Sequence, residues 1–270
     1  MNLLISQAAT QTPWVWEPRP DVWALVLALG VGYLWSTTRL RISLQGPPPQ
    51  VRRPEKARFW MGLLLLWMAV DWPMDRLGDD FLFSVHMVQF LLITMVAVPL
   101  LVSGIPGWLF VELTIPLGPR LKTFTRAPIS LVLFQVVLVG THVPPVVALY
   151  ASNTVVHGGV HALWVLSAGL FWLPVLGKDP FVAALTPGAK VVYLIGATVL
   201  PTVPASFLTW TTTPLYPSYA AAPRVWGLSP VDDLQLAGVV MKIGGGTILW
   251  GFIFWIFIAW SKEEGALDRR

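Results

Sequence analysis

The stretch that decides the fold runs from Phe81 to Ser103 and reads FLFSVHMVQFLLITMVAVPLLVS. It contains no Asp, Glu, Lys or Arg, and a helix of about 20 apolar residues is long enough to cross a hydrocarbon core about 30 Å thick. The whole chain is similar in character, because 55% of its 270 residues are hydrophobic, only 12% are charged and the mean hydropathy is +0.66. The sequence therefore predicts an all-α, polytopic transmembrane helix bundle.

Apolar runs bounded by proline, glycine and charged residues predict about seven membrane spans. These spans lie near residues 22–37, 59–73, 81–103, 127–150, 155–177, 188–210 and 235–260. The seven-helix membrane domain is thus 22–260, with an outer N-terminal segment, 1–21, before it and a cytoplasmic tail, 261–270, after it. Residues 105–126 mix aromatic and charged side chains between prolines and glycines, which indicates a segment lying along the membrane interface.

Two features within the spans predict departures from straight helices. Pro201 and Pro204 stand inside the sixth span, where proline removes a backbone donor and clashes with the preceding turn, so a kink or break is expected. Glycines 244–246 form a short run inside the seventh span. In an apolar helix, such a run favours close packing against a neighbouring helix over phosphate binding.

Loop charge gives the bundle a direction. The loop 38–58 holds six basic residues and one acid, Glu55, whereas the next loop, 71–80, holds four aspartates and Arg76. Short loops rich in Lys and Arg stay in the cytoplasm, so we expect the N-terminus outside and the C-terminus inside. A net charge of +4 in so apolar a chain reflects loop topology, and membrane lipid rather than nucleic acid is the expected environment.

With this topology, all four histidines fall in the outer leaflet. His86 lies near the outer start of the third span, His142 late in the fourth, and His157 with His161 at the start of the fifth. His157 and His161 are four residues apart, so on a helix they share one face and could share a metal ion. Gln89 stands one turn after His86 on the third span. The pattern predicts a metal or polar functional site on the outer side.

The residue types limit which metal such a site could hold. The chain has no cysteine, so ligands must come from His, Met, carboxylates or the backbone. Imidazole suits copper and zinc, whereas the thioethers of Met87 or Met241 would favour Cu(I). Asp232 and Asp233, just before the seventh span, could add a carboxylate. The alternative is that each histidine only makes a hydrogen bond between helices. The serine, histidine and acidic residues have no spacing that is typical of nucleophilic catalysis, so the sequence does not indicate an enzyme.

Five groups of motifs occur in a specific order along the chain. They are 83–92 FSVHMVQFLL with 99–106 PLLVSGIP, 142–145 HVPP with 153–161 NTVVHGGVH, 169–175 GLFWLPV, 214–220 PLYPSYA, and 233–241 DLQLAGVVM. Together they resemble the cytochrome c oxidase assembly factors called CtaG, from bacteria with haem–copper oxidases. The resemblance extends over about residues 23–260.

The resemblance implies a multi-pass protein of the bacterial cytoplasmic (inner) membrane that helps to assemble an active terminal oxidase. It also implies copper handling on the outer side, with haem–copper oxidase subunits or their assembly intermediates as partners. The family's site pattern falls on His86, Gln89, His142, His157, His161, Asp233 and Met241.

The sequence departs from the family pattern at two positions. Phe90 stands where a second histidine is usual, and Leu234 stands where glutamine is usual. An alternative function is therefore an accessory or structural subunit of a membrane respiratory complex that keeps the fold without metal. A haem-binding electron carrier fits the sequence less well, because all four histidines lie at one depth in the membrane. A transporter would need a charged pathway, and none crosses the inner leaflet.

Overall fold

A computed structural model describes residues 12–39, 49–177, 182 and 184–267, and all regular structure within them is helical. Residues 1–11 of the predicted outer segment, 40–48 of the basic loop and 268–270 of the predicted tail lie outside the described residues. The helices are α1 Pro20–Arg39, α2 Arg53–Val70, α3 Met74–Asp80, α4 Phe83–Gly104, α5 Gly107–Thr114, α6 Gly118–Phe124, α7 Ala127–Thr141, α8 Pro144–Ala151, α9 Thr154–Leu176, α10 Pro187–Val199, α11 Thr202–Thr209, α12 Pro217–Ala221 and α13 Pro230–Gly265.

Five segments are long and apolar enough to cross a membrane: α1, α4, α9, α10 with α11, and α13. The segment Gly107–Phe124 and α7 meet the same criteria as a pair but are bent by 87°, which makes six. The predicted span 59–73 overlaps α2, whose first turns carry Arg53, Lys56 and Arg58. The helical bundle is confirmed, and the described residues support five or six spans.

The fourth predicted span is wrong as a single helix. Residues 127–150 divide into α7, which ends at Thr141, and α8, which begins at Pro144. Consecutive prolines at Pro144 and Pro145 explain the division, because neither supplies the backbone donor that a continuing helix needs, whereas both are tolerated in a first turn. His142 and Val143 therefore form a short corner between two helices.

Helix starts near the predicted site follow from local sequence. The side chain of Asn153 accepts hydrogen bonds from the backbone N–H groups of Val155 and Val156, at 3.0 and 3.1 Å, and so caps the start of α9. Ser229 and Asp232 form a reciprocal capping box at the start of α13. These caps fix where the two helices begin, and hence the position of the side chains one or two turns further along.

The predicted irregularities within the spans are confirmed. The sixth span breaks between α10 and α11 at Pro201. Gly244 and Gly245 pack so closely on α4 that an added Cβ would lie 3.1 and 3.3 Å from the Leu91 side chain. In addition, α4 and α13 each contain a π-helical segment, Leu92–Ala97 and Val240–Gly244, which the sequence pattern did not indicate.

The core is organised around α4. This helix is the most buried of the candidate spans, with 61% of its apolar window inside the protein. Aromatic side chains fill much of the surrounding space, and the largest of those that are fully buried are Trp164, Trp172, Phe83, Phe90, Phe134 and Phe171. The polar side chains that interrupt this core are therefore conspicuous, because burying a polar group is costly unless it is hydrogen-bonded.

Candidate metal site

Side chains from four helices meet at the end of the bundle where α4 and α9 begin. The carboxylate of Asp79 from α3 lies between two imidazoles, with Oδ1 3.1 Å from Nδ1 of His86 and Oδ2 3.1 Å from Nε2 of His157. The other ring nitrogen of His86 lies 3.1 Å from the Tyr150 hydroxyl of α8. If Nδ1 of His86 donates to Asp79, its Nε2 accepts from Tyr150, and both ring nitrogens are satisfied. His86 therefore orients Asp79.

His157 and His161 confirm the predicted pairing on one helix face. Their Nε2 atoms are 3.3 Å apart. Two nitrogens that each lie about 2.0 Å from a tetrahedral metal are separated by about 3.3 Å, so the pair is already spaced for a shared ion. Nε2 of His157 also contacts Asp79, so without a metal its N–H is shared between that carboxylate and Nε2 of His161. The position between the two rings is thus one that either a proton or a cation fills.

Asp75 adds a carboxylate to this pair. One ligand atom each from Asp75, His157 and His161 lie within 4.8 Å of one another. Asp75 is buried, and its two oxygens are held separately: the Gln89 amide donates to Oδ1 at 3.1 Å, and the Arg19 guanidinium forms an ion pair with Oδ2. Gln89 also donates to the carbonyl of Ala69 at 2.9 Å. Gln89 therefore positions Asp75, and Arg19 neutralises it.

The two neighbouring aspartates differ in their affinity for a proton. Burial and the negative charge of Asp79 raise the pKa of Asp75 to about 7, although Arg19 opposes the shift. Burial alone would also raise the pKa of Asp79, but the hydrogen bonds from His157 and His86 outweigh that effect and lower it below the ordinary value. Asp79 is therefore the carboxylate that stays ionised, while Asp75 can lose its charge near neutral pH.

A polar cavity of about 320 Å³ lies against this cluster. Its lining includes Arg19, Asp75, Asp79, Tyr150 and His157. Water and small ions can occupy a polar cavity of this size, since a single water needs only about 10–15 Å³ measured in the same way. The cavity therefore gives water and small ions access to His157.

The remaining predicted ligands lie away from the His157–His161 pair, although the ring of His142 contacts that of His86, with centroids 6.0 Å apart. His142 stacks on Trp164 with ring centroids 5.7 Å apart, and its Nδ1 lies 2.6 Å from the carbonyl oxygen of Leu138. The same Trp164 also contacts His161, with ring centroids 5.0 Å apart. The structure thus places an indole between His142 and the His157–His161 pair. Nε2 of His142 is buried and has no hydrogen-bond partner among the described residues.

Asp233 has a different partner. Its carboxylate accepts hydrogen bonds from the backbone N–H groups of Phe83 and Ser84, at 2.7 and 3.1 Å, and from the Ser84 hydroxyl at 2.5 Å. Asp233 from α13 therefore caps the N-terminus of α4, where a negative charge also favours the helix dipole. Met241 is buried in the π-helical segment of α13, and Met87 is fully buried on α4.

The residues at the centre of the cluster are not predicted by the sequence pattern. Asp75 and Asp79 were recognised only as part of an acidic loop, and Arg19 and Tyr150 were not singled out. The sequence signal for these carboxylates was the position of that loop, which is predicted to lie on the same side of the membrane as the histidines. An acidic loop beside buried imidazoles favours a cation site once the two are known to touch.

These features define a class: a polytopic helical membrane protein with a buried carboxylate–imidazole cluster at one end of its bundle. The chain belongs to the cytochrome c oxidase caa3 assembly factor family (Caa3_CtaG), whose profile matches residues 31–263. The match covers most of the chain and confirms the resemblance seen in the motifs. No curated protein and no solved structure matches it.

Proposed function

We propose that this protein assists assembly of a caa3-type oxidase by holding a copper ion between His157 and His161, with Asp75 beside them, and releasing it to the oxidase. The observation that carries the proposal is the 3.3 Å separation of the two Nε2 atoms next to a buried carboxylate. Copper is here the cargo, and the protein acts as a non-catalytic carrier. Imidazole nitrogen is a ligand type that suits copper.

The same geometry supports release as well as binding. Nε2 of His157 contacts both Asp79 and His161, so an ion at this position displaces the proton that Nε2 carries when it donates to the Asp79 carboxylate. Binding an ion therefore requires loss of a proton and of the hydrogen bond to Asp79, and both requirements lower the affinity. A carrier that must pass its ion to another protein needs such a limit. The polar cavity beside His157 supplies the opening.

We also propose the full topology: seven spans, with the N-terminus outside and the site open to the outer face of a bacterial cytoplasmic membrane. In this arrangement α2 crosses through its uncharged part, residues 59–70, and α7 crosses after the bend at Arg126. Support comes from loop charge, since the start of α2 is basic and α3 is acidic. The oxidase subunits that receive copper, or their assembly intermediates, are the proposed partners.

Copper loading of the purified protein tests the site. Protein loaded anaerobically with Cu(I) should retain the metal through desalting, and the variant with both His157→Ala and His161→Ala should lose it. The matched control is His142→Ala, which removes an imidazole that stacks on Trp164 and does not belong to the pair. Equal retention by the double variant would show that these two histidines are not the ligands.

A second candidate function is a metal-free accessory subunit of the oxidase complex. The hydrogen-bond chain from Tyr150 through His86 and Asp79 to His157 is complete without a metal, and Arg19 already pairs with Asp75. On this alternative, the cluster only joins α3, α4, α8 and α9. Isolation with oxidase subunits at a fixed stoichiometry and without copper would favour it over the carrier.

A further inference from the structure

A groove opens between α4 and α13 at the end of the bundle opposite the histidine cluster. Because α4 and α9 begin at that cluster, their last turns, at Ser103 and Leu176, mark the opposite end. Both residues line the groove, together with Met95 of α4 and Trp255 of α13. The groove has a volume of about 570 Å³. It shares no lining residue with the polar cavity beside His157 and is therefore a separate feature.

Glycines on α13 show where this helix separates from α4. A Cβ added at Gly244 would lie 3.1 Å from the Leu91 side chain, so the two helices are in contact there. Gly251 follows seven residues later and falls on the same helix face. It lines the groove, yet no described atom lies within 4 Å of a Cβ added to it. The groove is therefore open space beside α13, which a larger side chain or a ligand could fill.

Contacts inside the bundle fix the apolar floor of the groove. The ring of Phe252, which lines the groove, packs on Trp172 with ring centroids 4.7 Å apart. The Trp172 indole in turn donates a hydrogen bond to the carbonyl of Thr94, at 2.9 Å, in the π-helical segment of α4. These contacts hold the floor in place without a ligand. A ligand therefore meets a pre-formed surface and does not have to order it.

One end of the groove is positively charged. Arg58 is the one charged residue in the described lining, and Gly104 at the end of α4 packs against the adjacent Phe59. Nε of Arg58 donates to the carbonyl of Pro54 at 3.2 Å, and no carboxylate among the described residues pairs with the guanidinium. Exposed Lys56 lies on the same turn of α2. An apolar groove with a cation at one end matches a ligand that has an apolar tail and an anionic head.

The dimensions of the groove favour a flexible chain over a helix. From Met95 to Ser103, α4 rises about 12 Å, which is close to half of a hydrocarbon core about 30 Å thick. The volume of about 570 Å³ spread over that length leaves a cross-section of about 50 Å². A helix with side chains is about 10–12 Å in diameter and needs about twice that area. The groove therefore fits acyl chain within one leaflet better than a partner's helix.

We propose that this groove binds one anionic phospholipid, with an acyl chain along Gly251 and Phe252 and the phosphate on Arg58. Anionic lipids are concentrated in the cytoplasmic leaflet, which is where the proposed topology puts the basic start of α2. The lipid site goes beyond the proposed copper function and does not depend on it, because the two sites share no residue.

Native mass spectrometry of the purified protein tests the site. The protein in detergent is titrated with phosphatidylglycerol and, separately, with phosphatidylcholine that has the same acyl chains. The first phosphatidylglycerol should bind about fivefold more tightly, because one basic residue near the phosphate contributes about that factor. Arg58→Gln should remove this preference. Gly251→Leu should weaken binding of both lipids, since leucine fills the groove and is a good helix former at a position with open space.

Two matched variants control for charge and for added bulk. Arg120→Gln removes an exposed cation on α6, and Gly140→Leu adds the same side chain on α7, where no described atom lies within 4 Å of the new Cβ. Both should bind the two lipids as the unaltered protein does, and excess inorganic phosphate should not displace phosphatidylglycerol.

Equal binding of the two lipids by the unaltered protein would overturn the proposal, and so would a preference that persists in Arg58→Gln. Displacement of phosphatidylglycerol by inorganic phosphate would show a site for free phosphate instead. If Gly251→Leu left lipid binding unchanged but reduced co-isolation with oxidase subunits, the groove would hold a partner's helix, and the lipid site would be refuted.

Discussion

Replacing Arg19 tests whether Asp75, His157 and His161 form a cation site. The guanidinium pairs with Asp75 and therefore opposes any other cation there. At a separation on the order of 6 Å and an effective dielectric constant of about 20, two unit charges repel by about 3 kcal/mol. The Arg19 side chain is 30% exposed, so solvent and salt reduce this value, and about 1.4 kcal/mol is expected to remain. Arg19→Gln should therefore bind Cu(I) about tenfold more tightly.

The assay is an anaerobic titration of Cu(I) against a coloured chelator of known affinity. Measurement at pH 9 keeps Asp75 ionised in the unaltered protein, where its pKa is about 7; because Arg19 lowers that pKa, Arg19→Gln is titrated at pH 10 as well as at pH 9. The control is Arg52→Gln, which removes another paired arginine at the start of α2, where the Arg52 side chain is 74% exposed. Unchanged or weaker Cu(I) binding by Arg19→Gln would refute the electrostatic reasoning, and so would an equal gain in Arg52→Gln.

Two further predictions concern the fold. Asp233→Asn should lower the free energy of unfolding by about 1–2 kcal/mol, because the carboxylate that caps α4 loses its charge and one acceptor oxygen. The copper stoichiometry should stay the same. Loss of copper with unchanged thermal stability would contradict the capping role. Gly104→Ala should destabilise by about 1–3 kcal/mol or prevent folding, since the new Cβ would lie 2.4 Å from the backbone nitrogen of Phe59. In the control Gly251→Ala, nothing lies within 4 Å of the new Cβ, and thermal unfolding in detergent should show equal or higher stability.

Much of the fold could be predicted because its cause is local. Long uncharged runs need no tertiary information to indicate membrane helices, and Pro201 breaks the sixth span through its own missing N–H group. Helix boundaries that depend on backbone geometry were harder to predict from the sequence. The corner at His142 required two consecutive prolines to be interpreted as a helix start, and the π-helical segments around Met95 and Met241 have no sequence signal of their own.

Only part of the candidate site could be predicted from the sequence, for a related reason. The spacing of His157 and His161 is local to one helix, so the shared face followed directly from the sequence. The carboxylates come from a separate short helix, and nothing in the chain order shows that Asp79 lies between His86 and His157. Contacts between residues far apart in sequence depend on how the helices pack.

By itself, the sequence determined that this protein is a helical membrane bundle of the Caa3_CtaG family, with two histidines on one face of α9. Hydropathy, loop charge and helical periodicity are properties of single segments, and so they can be read in one dimension. Only the tertiary structure showed that Asp75 and Asp79 complete the histidine cluster, that Asp233 caps α4, and that Met241 is buried in a π-helical segment. Those assignments depend on which helices are in contact, and these contacts are set by packing against the central helix α4.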